Sequence, residues 1–294
     1  MIQVERIFSW SPWYPLKGSW KNSLIPPERG LYRIRRLERD DLDYIGETGR
    51  VLKKRLSDLR VTYGELMPYS DPHTAAPALW ALRHRCQCEF EVSVLPIEGT
   101  TQWRKGIEAL AISLARQEKG YSPTANFSRM PPGYRKSSQY NRGQGLRGGI
   151  TPEQHSHHHP GIAPQGKLTL EPQNLQWCGH NWTDWIPLQQ VKDNLPLASL
   201  GLYRIRDASQ SQVLYVGEGK IRERLCSHLV KANNPISKQG HIFANANSLE
   251  CSWICNPLWL DNQRKELEND LIAAHLLVTG DIPAAQFLGE SSYE

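Results

Sequence analysis

Two tyrosines, an arginine and a glutamate recur in the same order in the two halves of this chain. They are Tyr32, Tyr44, Arg55 and Glu108, then Tyr203, Tyr215, Arg224 and Glu268. A free phenol ionises near pH ~10 and is a poor base at neutrality. Positive charge beside it favours the phenolate, and an arginine or a cation held by a carboxylate can supply that charge. The four residue types therefore carry chemistry only as a constellation. Taken singly, a strand-edge tyrosine reads as packing and a helical glutamate as a solvated charge.

The repetition extends well beyond these side chains. Gly-Leu-Tyr-Arg-Ile-Arg occurs at Gly30–Arg35 and again at Gly201–Arg206, and Tyr44-Ile45-Gly46-Glu47 is answered by Tyr215-Val216-Gly217-Glu218 at matched spacing. Upstream, Trp10 and Trp13 answer Trp182 and Trp185. Downstream, the stretch from Arg104 to Phe127 runs without a gap against Arg264 to Phe287. The chain is an internal duplication, each copy large enough to bury a core. The expected domains are residues 5–130 and 178–290, joined by a flexible linker over 131–177 that is rich in Gly, Pro, Gln and His.

The elements that must position the tyrosines follow from hydrophobic periodicity. Gly30–Arg36 and Leu42–Ile45 alternate as two strands of an antiparallel hairpin, which places Tyr32 and Tyr44 on neighbouring strands. Gly46 and Gly49 turn the chain into a basic helix carrying Lys53, Lys54 and Arg55. A longer loop and a third strand follow, over residues 89–95 and 250–255. A final helix, Trp103–Lys119, has Ile107, Leu110, Ala111 and Leu114 at helical spacing, with Gly120 as its stop. The expected fold class is α+β, sandwich-like: two tandem domains, each a small, mainly antiparallel three-stranded sheet flanked by helices.

This order, Gly30-Leu31-Tyr32, Tyr44-Ile45-Gly46, Arg55, Glu108 and Asn126, resembles a GIY-YIG nuclease domain, and the second half repeats it as Gly201-Leu202-Tyr203, Tyr215-Val216-Gly217, Arg224, His228 and Glu268. The resemblance covers nearly all of both repeats. It implies a metal-dependent endonuclease that hydrolyses DNA phosphodiester bonds. Glu108 and Glu268 would each hold one Mg²⁺ (or Mn²⁺), with water and phosphate oxygens completing the shell. Arg55 and Arg224 would stabilise charge on phosphorus, Tyr32 and Tyr203 would help to deprotonate water, and Tyr44 and Tyr215 would position it. Family members often carry a histidine four residues after the arginine. His228 fills that place in the second half, and Leu59 replaces it in the first. Asn126 matches the family's late asparagine, where the second half has Gln286.

A fused pair of such domains suggests a pseudo-dimer acting on duplex DNA, as a monomer or homodimer of restriction or phage-defence type. Two alternatives belong to other classes: one active and one degenerate domain in a structure-specific repair or mobile-element nuclease, or a non-catalytic DNA-binding protein. A net charge of +5 permits a polyanionic partner. Candidate DNA contacts are Lys53, Lys54, Arg135, Lys136, Arg142, Lys220 and Arg222, with base readout expected from the loops at 61–80 and 231–247.

Six cysteines are too sparse for a disulfide scaffold. Cys86 and Cys88, and likewise Cys251 and Cys255, are expected to be buried on strands. The cluster His155, His157, His158 and His159 lacks a scaffold for orienting metal ligands. No apolar run spans a membrane, and no signal-peptide pattern follows Met1, so a cytoplasmic location is expected.

Overall fold

Each repeat builds one antiparallel sheet around its Gly-Leu-Tyr strand. A computed structural model describes residues 7–137 and 158–288. In the first sheet the spatial order is β1 (Tyr14–Pro15), β4 (Phe90–Pro96), β2 (Gly30–Arg36) and β3 (Leu42–Thr48). The second repeats it as β5 (Ile186–Pro187), β8 (Leu249–Cys255), β6 (Leu200–Asp207) and β7 (Gln212–Lys220). The class is α+β, and each sheet has four strands rather than the expected three. The extra strand is two residues long and contains a proline, which periodicity does not register.

Register places the tyrosines. Tyr32 faces Gly46 across the β2–β3 ladder and Ile34 faces Tyr44, so both phenols lie on one sheet face, diagonally related. The second hairpin repeats this, with Tyr203 opposite Gly217 and Ile205 opposite Tyr215. Both hairpins carry a bulge at the same point, after Ile34 and after Ile205.

The helices that follow the hairpins differ. In the second repeat α5 (Ile221–Asn233) is continuous, and α6 (Lys238–Ala244) packs behind it. In the first, α1 (Leu52–Ser57) gives way at Asp58 to a 3₁₀ stretch ending at Tyr63, and α2 (Ala76–Cys86) comes later. The regions expected as free loops, 61–80 and 231–247, thus hold helix, and Ala76, Ala78, Leu79 and Phe243 from them are core. A short helix α4 (Val191–Asn194) precedes β6.

Long helices close both repeats: α3 (Thr101–Lys119), capped by the Thr100 hydroxyl, and α7 (Asp261–Thr279). Gly120 and Gly280 end them in the left-handed conformation, at φ 80° and 88°.

The chain divides into two compact units. One runs up to Arg104 and resumes at Leu114; the other holds Lys105–Ser113 and the chain from Ile162. The segment between the repeats has packed ends. Tyr134 is buried in the first core with its hydroxyl 2.9 Å from His84 Nδ1, and Leu168 and Trp177 are buried in the second unit. Arg142, His155 and His157 lie outside the described residues.

Among the described residues no helix is long and apolar enough to cross a membrane. The cysteine expectation needs correction: Cys86 is an exposed residue ending α2, Cys88 is half-buried before β4, and Cys255 is exposed, leaving only Cys251 of the four in the core. The left-handed residue Gln87, at φ 50°, breaks the alternation that strand pairing of Cys86 and Cys88 required.

Candidate active site

The glycine of each tyrosine motif makes room for the first tyrosine. A Cβ on Gly46 would stand 2.7 Å from the Tyr32 hydroxyl oxygen, and one on Gly217 would stand 2.5 Å from that of Tyr203. The ring therefore lies across the neighbouring strand where any side chain would collide. The second tyrosine then stacks nearby, with ring centroids 5.9 Å apart in the first repeat and 6.0 Å in the second.

In the second repeat the sequence-predicted residues converge. Arg224 and His228 stand one turn apart on α5, and Lys231 follows on the same face. With Tyr215, Glu268 and Gln286 they line a cavity of about 330 Å³. His228 Nε2 lies 3.1 Å from the Tyr203 hydroxyl. Burial, with Lys231 and Arg224 nearby, lowers the His228 pKa to about 3, so the ring is neutral.

Burial likewise raises both phenols, Tyr215 to about 12 and Tyr203 well above its ordinary value. Arg224 opposes the rise in each. Glu268 is half-buried at the cavity wall and forms no hydrogen bond or ion pair with a described residue. Its pKa rises to about 8, through desolvation first and the Glu218 carboxylate second. Glu218 itself is ion-paired with Arg264, 2.9 Å away.

The donor set fits a hydrated divalent cation. Glu268 is a cavity-wall carboxylate with no hydrogen-bond or ion-pair partner among the described residues, where Arg224 and Lys265 only partly offset its desolvation, and an ion such as Mg²⁺ takes one carboxylate while keeping several waters. Among the described residues no three His, Cys, Asp or Glu side chains gather as a closed metal cage.

In the first repeat Tyr32, Tyr44 and Arg55 come together: Arg55 Nε donates to the Tyr32 oxygen at 3.3 Å. The histidine here is one that the sequence motif did not indicate. His73, fully buried in the loop before α2, places Nε2 2.8 Å from the same oxygen, and its ring sits 5.6 Å from that of Tyr44. Leu59, at the motif's histidine position, lies in the 3₁₀ stretch, which turns it into the core with no exposure. Arg55 Nη1 donates to the Pro72 carbonyl at 2.7 Å and so ties the His73 loop to α1.

Glu108 is half-buried on α3, one turn beyond Arg104, as Glu268 stands one turn beyond Arg264 on α7. It falls in the stretch Lys105–Ser113 that belongs to the second unit. Arg104 pairs with Glu47 at 2.9 Å, the counterpart of the Arg264–Glu218 pair.

Asn126 brackets Ile45, accepting from its N–H at 2.9 Å and donating to its carbonyl at 2.8 Å. Gln286 accepts from the Val216 N–H at 3.1 Å. Both side chains thus clamp the residue after the second tyrosine, and the difference between Asn and Gln makes no difference to that bond.

The candidate DNA contacts lie on different elements. Lys54 is exposed and Lys53 half-buried on α1, Lys220 is exposed but paired with Glu223, Arg222 is half-buried on α5, and Arg135 and Lys136 are half-buried beyond Tyr134.

Lys231 and His73 are the residues that sequence reasoning missed at these sites. Lys231 was legible in principle, at helical spacing from Arg224 and His228; nothing in the spacing marks His73. Compared with protein-family models, curated proteins and solved structures, the chain gives no match.

Proposed function

We propose that the chain is a divalent-cation-dependent endonuclease of the GIY-YIG type, hydrolysing DNA phosphodiester bonds with one reaction centre per repeat. One observation carries this reading. Two different elements deliver a neutral imidazole to the hydroxyl of the first tyrosine, and in each repeat an arginine stands beside the same oxygen.

The first repeat defines the direction of the bonds. His73 Nδ1 lies 3.2 Å from the Ala75 N–H, which can only donate. The ring is neutral because burial drives its pKa well below 6.5, so its proton resides on Nε2 and is donated to the Tyr32 oxygen. Arg55 Nε donates to that oxygen too. Two donors on one phenolic oxygen favour the phenolate, the form able to take a proton from water. As that water attacks phosphorus, its proton passes to the phenolate, the scissile P–O bond breaks, and the leaving oxygen is protonated from solvent.

In the second repeat burial keeps Tyr203 a neutral phenol at rest, and added positive charge in the cavity beside Arg224 shifts it toward ionisation. A cation on Glu268 would supply that charge and would polarise the phosphate. Arg224, exposed at the cavity mouth, is placed to meet a phosphate oxygen. A large anionic substrate fits a site that opens to solvent and carries Arg224 and Lys231 at its wall.

The test is supercoiled plasmid incubated with Mg²⁺, comparing the parent chain with Glu108→Ala, Glu268→Ala and the double variant. Cleavage by the parent, nicking without linearisation by each single variant and silence of the double variant are expected. Binding without cleavage by the parent, across supercoiled, linear and branched DNA, overturns the reading.

A further inference from the structure

On the sheet face away from the tyrosines, each repeat stacks arginines on tryptophans. In the second, the Arg204 guanidinium lies 4.3 Å from the ring centroid of Trp182 and 4.4 Å from that of Trp185, and Arg206 lies 4.2 Å from Trp185. In the first, Arg33 lies 4.6 Å from both Trp10 and Trp13, and Arg35 lies 4.2 Å from Trp13. Such sandwiches hold a guanidinium flat and aim its N–H edge outward.

The two ladders differ in what meets that edge. Arg204 is fully buried because residues 172–174 lie on it. Its Nη1 donates to the carbonyls of Pro172 at 2.6 Å and Asn174 at 3.1 Å, while Arg206 Nη1 donates to the Gln173 side-chain oxygen at 2.8 Å. Arg33 has no hydrogen-bond or ion-pair partner among the described residues, and its Nε is buried without an acceptor. It opens instead on a cavity of about 190 Å³ lined also by Trp13, Arg35, Asp40, Glu118 and Lys119.

We propose that this cavity is a peptide-binding slot, in which an extended segment of a partner protein sets two backbone carbonyls on Arg33 and a side-chain amide on Arg35. The occupied ladder of the second repeat is the template for the pose: carbonyls of residues n and n+2 on the first arginine, an amide side chain at n+1 on the second.

Charge selects peptide over nucleic acid. Arg35 is already paired with Glu91 at 3.1 Å and Asp40 at 3.5 Å, and Lys119 with Glu118 at 3.2 Å. That leaves one unmatched guanidinium between charges already paired, which suits neutral carbonyl acceptors and gives a chain of phosphates no run of free positive charge to follow. Burial and Arg35 lower the Arg33 pKa only to about 10, so it stays protonated at neutral pH. This slot lies outside the proposed reaction centre and does not depend on it.

The probe is the synthetic peptide Leu-Glu-Pro-Gln-Asn-Leu, the sequence of residues 170–175, added at up to millimolar concentration to the full ¹⁵N-labelled chain. The tryptophan indole N–H signals are followed. A saturable shift of the Trp13 signal is expected, weakened about tenfold or more in Arg33→Met, the scale of losing a hydrogen bond to a charged group. Arg33→Lys keeps the charge but not the fork and falls between; it serves as the folded control if the Met variant misfolds. No saturable shift, equal binding by Arg33→Met, or an Arg33-dependent preference for a single-stranded oligonucleotide of similar length overturns the proposal.

Discussion

His73 Nε2 stands 2.8 Å from the Tyr32 hydroxyl across 41 residues of chain, while His228 reaches Tyr203 from only 25 residues away. The same bond is built from a loop in one repeat and from a helix in the other. Because the His73 proton sits on Nε2, a side chain that keeps a donor there should keep part of its effect. His73→Ala is expected to lower cleavage by the first repeat about 10²-fold, the lower end for loss of a group acting on proton transfer. His73→Gln should recover part of that loss. Both are measured in a Glu268→Ala background, so that only the first centre reports. Equal rates for Ala and Gln would show that donation to Tyr32 is not what His73 contributes.

Leu59→His is expected not to rescue His73→Ala. Leu59 is wholly buried among Leu52, Leu56 and Leu79, so an imidazole there is desolvated without reaching Tyr32. A fall in stability of about 2 kcal/mol or more, the scale of burying an unpaired polar group, should appear in urea melts. Restored cleavage in the double variant would contradict this.

Gly46→Ala and Gly217→Ala should each disable their own repeat. The methyl added at Gly46 would sit 2.5 Å from Tyr44 Cε1 and 2.7–2.9 Å from the hydroxyl end of Tyr32, and that at Gly217 2.5–2.9 Å from Tyr203, so the rings must leave their places over the strand. Gly49→Ala, whose Cβ meets the end of the Arg104 side chain at 3.3 Å and the Thr101 hydroxyl at 3.9 Å, is the matched control. Plasmid assays and melting temperatures should separate the first two from the third.

Glu268 makes stability depend on pH and on cation together. Its folded pKa of about 8 exceeds the ordinary 4.5, so ionisation opposes folding. Its contribution is fully present below pH 4.5 and is lost as pH rises through about 8. Mg²⁺ should therefore raise the melting temperature more at pH 8.5 than at pH 6, and Glu268→Gln should remove that difference. His228 acts with the opposite sign: its pKa of about 3 lies below the ordinary 6.5, so stability present above pH 6.5 is lost as pH falls toward 3. A His228→Phe variant should flatten the acid limb of the melting profile.

Arg204→Leu should cost more stability than Arg33→Leu. The first leaves the Pro172 and Asn174 carbonyls buried without a donor, about 1–3 kcal/mol for each group orphaned. The second removes a guanidinium that has no acceptor to lose. Chemical denaturation of the two variants decides it.

The duplication, both tyrosine hairpins, the two closing helices and the order of chemistry-bearing residues were legible in the amino-acid sequence. Local pattern dictates them: alternation makes Gly30–Arg36 a strand, and the Gly120 stop ends the helix that begins at Thr101. Tertiary structure alone decided the rest. The break of α1 at Asp58 buries Leu59 and calls in His73 from a distant loop, and no periodicity encodes a contact across 41 residues. Asn126 and Gln286 looked like a difference between the repeats and make the same backbone bond, because what matters there is where a side-chain oxygen arrives. Sequence specifies which groups exist and how each segment folds; long-range packing determines which of them meet.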